Sequence, residues 1–346
     1  MDARLSDDQH ALCDTIARLA ADLGPRSPAD LPATDPGAAA WAQLAEMGLL
    51  GMRLPASAGG MSVSGVEVVL AAEALGKRLV PLPFIGSAVC ASSLAAAAGA
   101  APDLLASLAD GSCRLAPALD PTLTRLACRG EGGVVWEARG ADACVVIDRA
   151  TTRLVALRPS ATPAHGVDLT RELRPLAADA AVIDIGHLGG PLPQAAIDRT
   201  LALTLAALSA DLVGVMQAAL DAAVAHVRDR VQFGVPVGTF QAVQHMAAEA
   251  HVSVEAARGL ALYAGWAVDE LGPAAALLAA RTAKAYCSEH GRAVVETAMQ
   301  MHGGVAFTWE YMVHIMVRRA LLDRQTLGDE HWQLDAIAAQ RALPRP

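Results

Sequence analysis

Leu201, Leu205, Leu208, Leu212 and Val215 recur at spacings of 4, 3, 4 and 3 residues. At 3.6 residues per turn these positions fall on one side of a helix, whereas a strand would need alternation. The stripe predicts a long amphipathic helix from about Pro193 to Asp229, ended by the turn-forming run FGVPVG at 233–238. Helical patterns follow over 240–271, from Ala274 to just before Gly303-Gly304, and over 309–323. Four long helices joined by short turns predict an antiparallel bundle over 191–346. Hydrophobic residues make up 53% of the chain but aromatics only 3%, so the cores must be aliphatic, with alanine allowing close helix approach.

A chain of 346 residues exceeds what one hydrophobic core usually serves, so further domains are expected. Residues 1–112 read as an all-α domain. Ser6 and Gln9 form a capping-box signature before a first helix carrying Leu12, Ile16 and Leu19. A loop with Pro25, Pro28, Pro32 and Pro36 follows, then a helix over 38–47. Pro55 and Gly59-Gly60 mark a turn, and further helices start near Ser64, Gly86 and Asp103. Over 113–190 the pattern changes to short β-type runs at 113–119, 133–139, 143–148, 153–158 and 180–186. They predict a small antiparallel β domain. The expected fold is therefore mainly α with a small β domain between two helical ones.

Several function classes are disfavoured. The formal charge is −9 and the only lysines are Lys77 and Lys284, so neither nucleic acid nor an anionic membrane is an expected partner. The apolar stretch 80–101 holds Pro81, Pro83, two glycines and three serines, and reads as a buried helix pair, not a membrane span. The acidic, polar start does not read as a signal peptide, and the six cysteines form no CxxC pair. Both suggest a reducing, cytoplasmic setting. His245, His251 and His302 lack close metal-ligand spacing, so no metal site is expected.

Two stretches carry chemical information. One is Arg230-Val231-Gln232-Phe233-Gly234 with Phe240-Gln241 after it; the other is Gln300-Met301-His302-Gly303-Gly304, with Arg318-Arg319 further on. An arginine at a helix end can hold a pyrophosphate through paired, charge-assisted hydrogen bonds. Phe233 offers an aromatic face, and a diglycine lets backbone approach a ligand closely. Together these stretches resemble the R-x-x-F-G…F-Q and Q-x-x-G-G-x-G elements of the acyl-CoA dehydrogenase family. The run 44–60, with Glu73 and Leu75-Gly76 after it, is similar to that family's N-terminal region. The resemblance implies an N-terminal helical domain, a middle β-barrel and a C-terminal four-helix bundle. It also implies FAD as cofactor, acyl-CoA as substrate and electron-transfer flavoprotein as electron acceptor. It implies Arg230, Gln232, Phe233, Gln241, Gln300, Gly303 and Gly304 as FAD contacts, made in this family to flavin held mainly by another subunit.

The chain departs from the pattern where chemistry is done. The family's base is a glutamate that removes the α proton of the thioester. Counted from Arg318-Arg319, its position is Leu327; the minority position, counted back from Gly234, is Thr204. The middle region is short and lacks the family's flavin-ring loop, and Ala306 replaces the last glycine of the diglycine element. These losses resemble the base-lacking subunit of bacterial α2β2 members that act on steroid side chains, which implies a second acyl-CoA dehydrogenase-like chain as partner, with a self-dimer as the alternative assembly. A relocated base is the alternative. Asp211 lies two turns after Thr204 and Asp329 lies two residues after Leu327; the bland readings are a bundle contact and a loop carboxylate. A scaffold that has lost flavin is the third reading.

Overall fold

The computed structural model describes residues 4–31 and 37–341; Pro32 and Pro36 of the proline-rich loop lie outside the described residues. Helix α1 (Asp7–Leu23) starts with both capping-box hydrogen bonds, Gln9 N to Ser6 Oγ and Ser6 N to Gln9 Oε1. Helices α2 (Ala38–Glu46) and α3 (Gly65–Lys77) follow. The apolar stretch after Pro83 is a buried π-helical segment, Phe84–Ala91, running straight into α4 (Ser92–Ala98). Helix α5 (Pro102–Ala109) closes this part with proline in its first turn, where no amide donor is needed.

Strands β1 (Leu115–Leu119), β2 (Gly133–Val135), β3 (Ala143–Asp148), β4 (Arg153–Leu157) and β5 (Arg174–Leu176) form one sheet in the order β4-β3-β1-β2-β5. The expected all-antiparallel pairing is corrected here: β1 pairs in parallel with β3, giving a mixed five-stranded sheet. β2 takes the antiparallel position on one side of β1, and the chain then returns past Glu137–Gly140 to pair along the other side. The expected strand at 180–186 makes a single bridge, Val182 to Leu157, while the strand Arg174–Leu176 had no β-type signal. Pro175 pairs there at the sheet edge, where a missing donor costs nothing.

The bundle is built on α6 (Gln194–Asp229), α7 (Gln241–Glu270), α8 (Pro273–His302) and α9 (Val313–Gln325), with a further helix, α10 (Glu330–Gln340), packed on α8. The helix expected from Trp309 begins only at Val313, because Thr308–Met312 forms a turn. Helix α6 is long and apolar enough to cross a membrane by length and composition, yet most of it is buried inside the protein. It packs against α3, α7, α8 and α9, so alanines fill the faces its leucine stripe does not. Close approach to α3 depends on glycine: a Cβ on Gly214 would sit 2.2 Å from the Glu73 carbonyl, and one on Gly76 2.6 Å from that of Asp211. The N-terminal helices and the bundle thus share one hydrophobic core. Since α7 reverses the chain, α6 and α8 run parallel and their C-terminal ends lie at the same end of the bundle.

Candidate functional site

At that end α6 gives way to a two-residue hairpin. Val231 pairs with Pro236 and Gln232 with Val235, leaving Phe233 and Gly234 as its tip. Both tip residues have positive φ, +54° and +80°, as a type I′ turn requires. Glycine adopts this backbone freely; phenylalanine is strained in it, by about 1–3 kcal/mol. The side chain so held is 92% exposed, its ring edge-on to Phe240 at 6.3 Å, just before Gln241 opens α7.

The second motif lies beside it. Helix α8 ends at His302, and Gly303 takes φ +71° and ψ −152°, a backbone open essentially to glycine alone. A Cβ added to Gly303 or Gly304 would meet nothing within 4 Å, so both glycines border open space. The rings of His226, on the last turn of α6, and His302 stack at 4.7 Å and join the two motifs. The Arg230 guanidinium and the side-chain amides of Gln241 and Gln300 are exposed and make no hydrogen bond to protein among the described residues. Gln232 reaches only the neighbouring Val231 carbonyl, at 2.8 Å. Phe307 and Trp309 add exposed aromatic surface. Uncommitted donors, aromatic faces and a side-chain-free backbone edge suit a ligand with phosphate and a heterocycle, so the residues present fit FAD.

The two base positions are elsewhere, and both are closed. Thr204 is fully buried and donates its hydroxyl to the Thr200 carbonyl at 2.8 Å. Leu327 is buried in the turn after α9 at φ +58°. That turn is firmly held. Gln333 Nε2 donates to the Leu327 carbonyl at 2.6 Å and Gly328 N to the Leu123 carbonyl at 3.2 Å. Beneath it Lys284, with no exposed surface, donates to Ser288 Oγ, the Arg324 carbonyl and the Gly328 carbonyl at 2.7, 2.8 and 2.9 Å. Burial pulls the Lys284 ammonium down to about 7, against the pull of Asp323. The turn is strained and pinned by hydrogen bonds, but the side chain it presents cannot take a proton.

The relocated-base expectation meets two committed carboxylates. Asp211 is buried and accepts two hydrogen bonds from Arg319, each 3.0 Å, with Arg171 Nη2 at 3.2 Å. Burial alone would raise its carboxyl, but Arg319 and Arg171 outweigh that and hold it well below the usual carboxylate range. A base must accept a proton at working pH, so the geometry argues for a bundle contact and against Asp211 as base. Asp329 caps α10, accepting from Trp332 N at 3.0 Å.

The interior charge cluster around Asp211 was not foreseen. Arg171 meets Glu137 at 3.0 Å and pairs with Asp323; Arg319 also donates to Thr170 Oγ1 at 2.6 Å and approaches Asp168 at 3.8 Å. Glu137 accepts from Gly86 N at 2.5 Å. The cluster joins the sheet region, the bundle and the π-helical segment. Asp323 is pushed well above its ordinary range by burial and by the charge of Asp211. Its paired side chains lie up to 152 residues apart, and the sequence singled out only Arg319, for its register with Leu327, and Asp211, for its spacing from Thr204.

Residues 195–342 match the family description "Acyl-CoA dehydrogenase, C-terminal domain" and residues 6–101 "Acyl-CoA dehydrogenase, N-terminal domain". Acyl-CoA dehydrogenase IpdE2 of Mycobacterium tuberculosis is 31% identical over 320 residues, 91% of each chain. Among solved structures, a variant of the Tcur3481-Tcur3483 steroid ACAD superposes with a TM-score of 0.84 at 26% identity, covering 97% of this chain and 98% of that one. The ChsE4-ChsE5 complex from Mycobacterium tuberculosis gives 0.83 at 24% identity, covering 100% of both chains.

Proposed function

Because the chain belongs to the acyl-CoA dehydrogenase family, we propose that it is the base-lacking subunit of an FAD-dependent acyl-CoA dehydrogenase, lending flavin contacts to an unlike partner that carries the catalytic glutamate. One contrast carries the reading. The motif-bearing end of the bundle keeps exposed, uncommitted Arg230, Gln241 and Gln300, while both base positions are apolar or alcoholic and sealed. In this role Arg230 holds the pyrophosphate, Phe233 covers a ring face, and Gln300 with Gly303-Gly304 borders the dinucleotide along its backbone edge. Bound flavin supplies the hydride acceptor for α,β-dehydrogenation of an acyl-CoA thioester, and an electron-transfer flavoprotein would take the electrons onward.

The similarity to a steroid ACAD formed by two named chains supports an unlike partner and a bulky acyl group. The cytoplasm is the setting this reading calls for. The commitment of Asp211 and Asp329 counts against a self-sufficient enzyme. The unpaired Arg230 beside a strained, exposed Phe233 counts against a scaffold without flavin, since such a scaffold would have no use for either. The test is Arg230→Ala in the chain co-expressed with an acyl-CoA dehydrogenase-type genomic neighbour. Removing one charge-assisted contact should weaken flavin retention by about 1.5–3 kcal/mol. Unchanged flavin content after gel filtration would overturn the assignment.

A further inference from the structure

The imidazole stack between α6 and α8 has a place in this site that neither motif explains. His226 lies four residues before Arg230, whose amide donates to the His226 carbonyl at 2.9 Å. His302 is the residue before Gly303. The two rings lie 20° from parallel, and Tyr311, from the turn before α9, meets both edge-on at 5.8 Å. His302 is buried, and its Nδ1 lies 2.7 Å from the Ala298 carbonyl. A carbonyl only accepts, so Nδ1 is the donor in this contact. The arginine arm and the diglycine turn are therefore spaced by one ring-on-ring contact.

We infer that His226 and His302 are positioning residues that set the distance between Arg230 and Gly303, and that they do so as a neutral stacked pair. The inference rests on the flavin reading above. Two neutral rings attract through their faces, whereas a proton on His226 adds a second cation near the Arg230 guanidinium at a half-buried joint. The groups acting on His226 favour the neutral state on balance. Burial, His302 and Arg230 all lower its proton affinity, and Asp229 alone opposes them. The adjoining segment Val237-Gly238-Thr239 brings no ionisable group. With the folded His226 held below its unfolded value, the joint is intact above about pH 6.5 and loosens as pH falls below it.

The experiment measures flavin retained by the co-expressed complex after dialysis between pH 5.5 and 8. The wild type should lose flavin as pH falls below about 6.5, by up to tenfold per pH unit, roughly the limit for one coupled proton. The double variant His226→Phe with His302→Phe keeps stacked rings without a charge. It should retain flavin with a flat profile over that range. His226→Ala should retain less at every pH. A Phe pair with the wild-type pH slope, or a His226→Ala complex with wild-type retention, would overturn the joint while leaving the flavin site standing. Arg230→Ala, run alongside, separates the two ideas: if it has no effect, the flavin reading itself fails, and the joint fails with it.

Discussion

Asp211→Asn is expected to be among the most destabilising isosteric changes in this protein. The wild-type carboxylate takes both of its 3.0 Å hydrogen bonds from Arg319 and faces Arg171 at 3.2 Å, all within the interior. Asparagine keeps the shape but removes the charge and turns an NH₂ towards guanidinium donors. Arg319 would keep one bond, to the asparagine Oδ1, and otherwise meet a threonine hydroxyl and carboxyl oxygens at 3.7 and 3.8 Å. Breaking a buried pair from one side typically costs about 3–5 kcal/mol. Asp323→Asn is the control. Burial and the charge of Asp211 hold the Asp323 carboxyl well above its ordinary range, so removing its charge should cost less than at Asp211. Urea midpoints of the two variants, measured with wild type at pH 7.5, give the comparison. Equal losses, or an Asp211→Asn protein as stable as wild type, would refute the assignment of charge within the cluster. A stable but inactive Asp211→Asn complex would instead return Asp211 to consideration as a base.

The same geometry sets the remaining expectations. Asp211 is depressed in the folded state, so its stabilisation is present above the unfolded value near 3.9 and is lost as pH falls through the folded one; acid titration of Asp211→Asn should lack that step. Lys284→Met strips a donor from three acceptors under the Leu327 turn and should cost about 3 kcal/mol. Because the folded Lys284 sits at about 7, below an unfolded value near 10.4, wild-type stability should rise with pH between the two, and the Met variant should lack that rise. Phe233→Ser should leave the thermal midpoint of the lone chain nearly unchanged, within about 0.5 kcal/mol, since the ring is 92% exposed. The same change should weaken flavin retention in the complex. Cys90, Cys144 and Cys287, buried and pushed up to about 12, should resist thiol reagents at pH 8 until the protein unfolds.

What could be read along the chain was whatever is local. The Ser6–Gln9 cap needs a three-residue spacing, and both of its hydrogen bonds form. The leucine stripe of α6 needs only helical periodicity. The hairpin tip could be placed because Phe233-Gly234 sits between two patterned helices. Long-range geometry left no such trace. The parallel β1–β3 pair depends on how the chain returns after β2, which residue alternation does not encode. Helix α10 has little amphipathic pattern of its own; it lies on α8 with contacts such as Arg281 Nη1 donating to the Ala336 carbonyl at 3.2 Å. At the site, Arg230 and Gly303 were legible as motifs, but the stack joining them was not, because a histidine four residues before a helix end usually means nothing. The Asp211–Arg319 pair bridges 108 residues, so a carboxylate that looked available in the sequence is committed in the fold.

The central claim is that this chain completes a flavin site it does not hold by itself. The direct measurement is the flavin-to-protein ratio, from visible absorbance, of the chain purified alone and co-purified with a base-carrying partner chain. The account predicts almost no flavin in the lone chain and about one flavin per pair of unlike chains. One flavin per chain in the lone protein, with acyl-CoA-dependent bleaching of its absorbance, would contradict it.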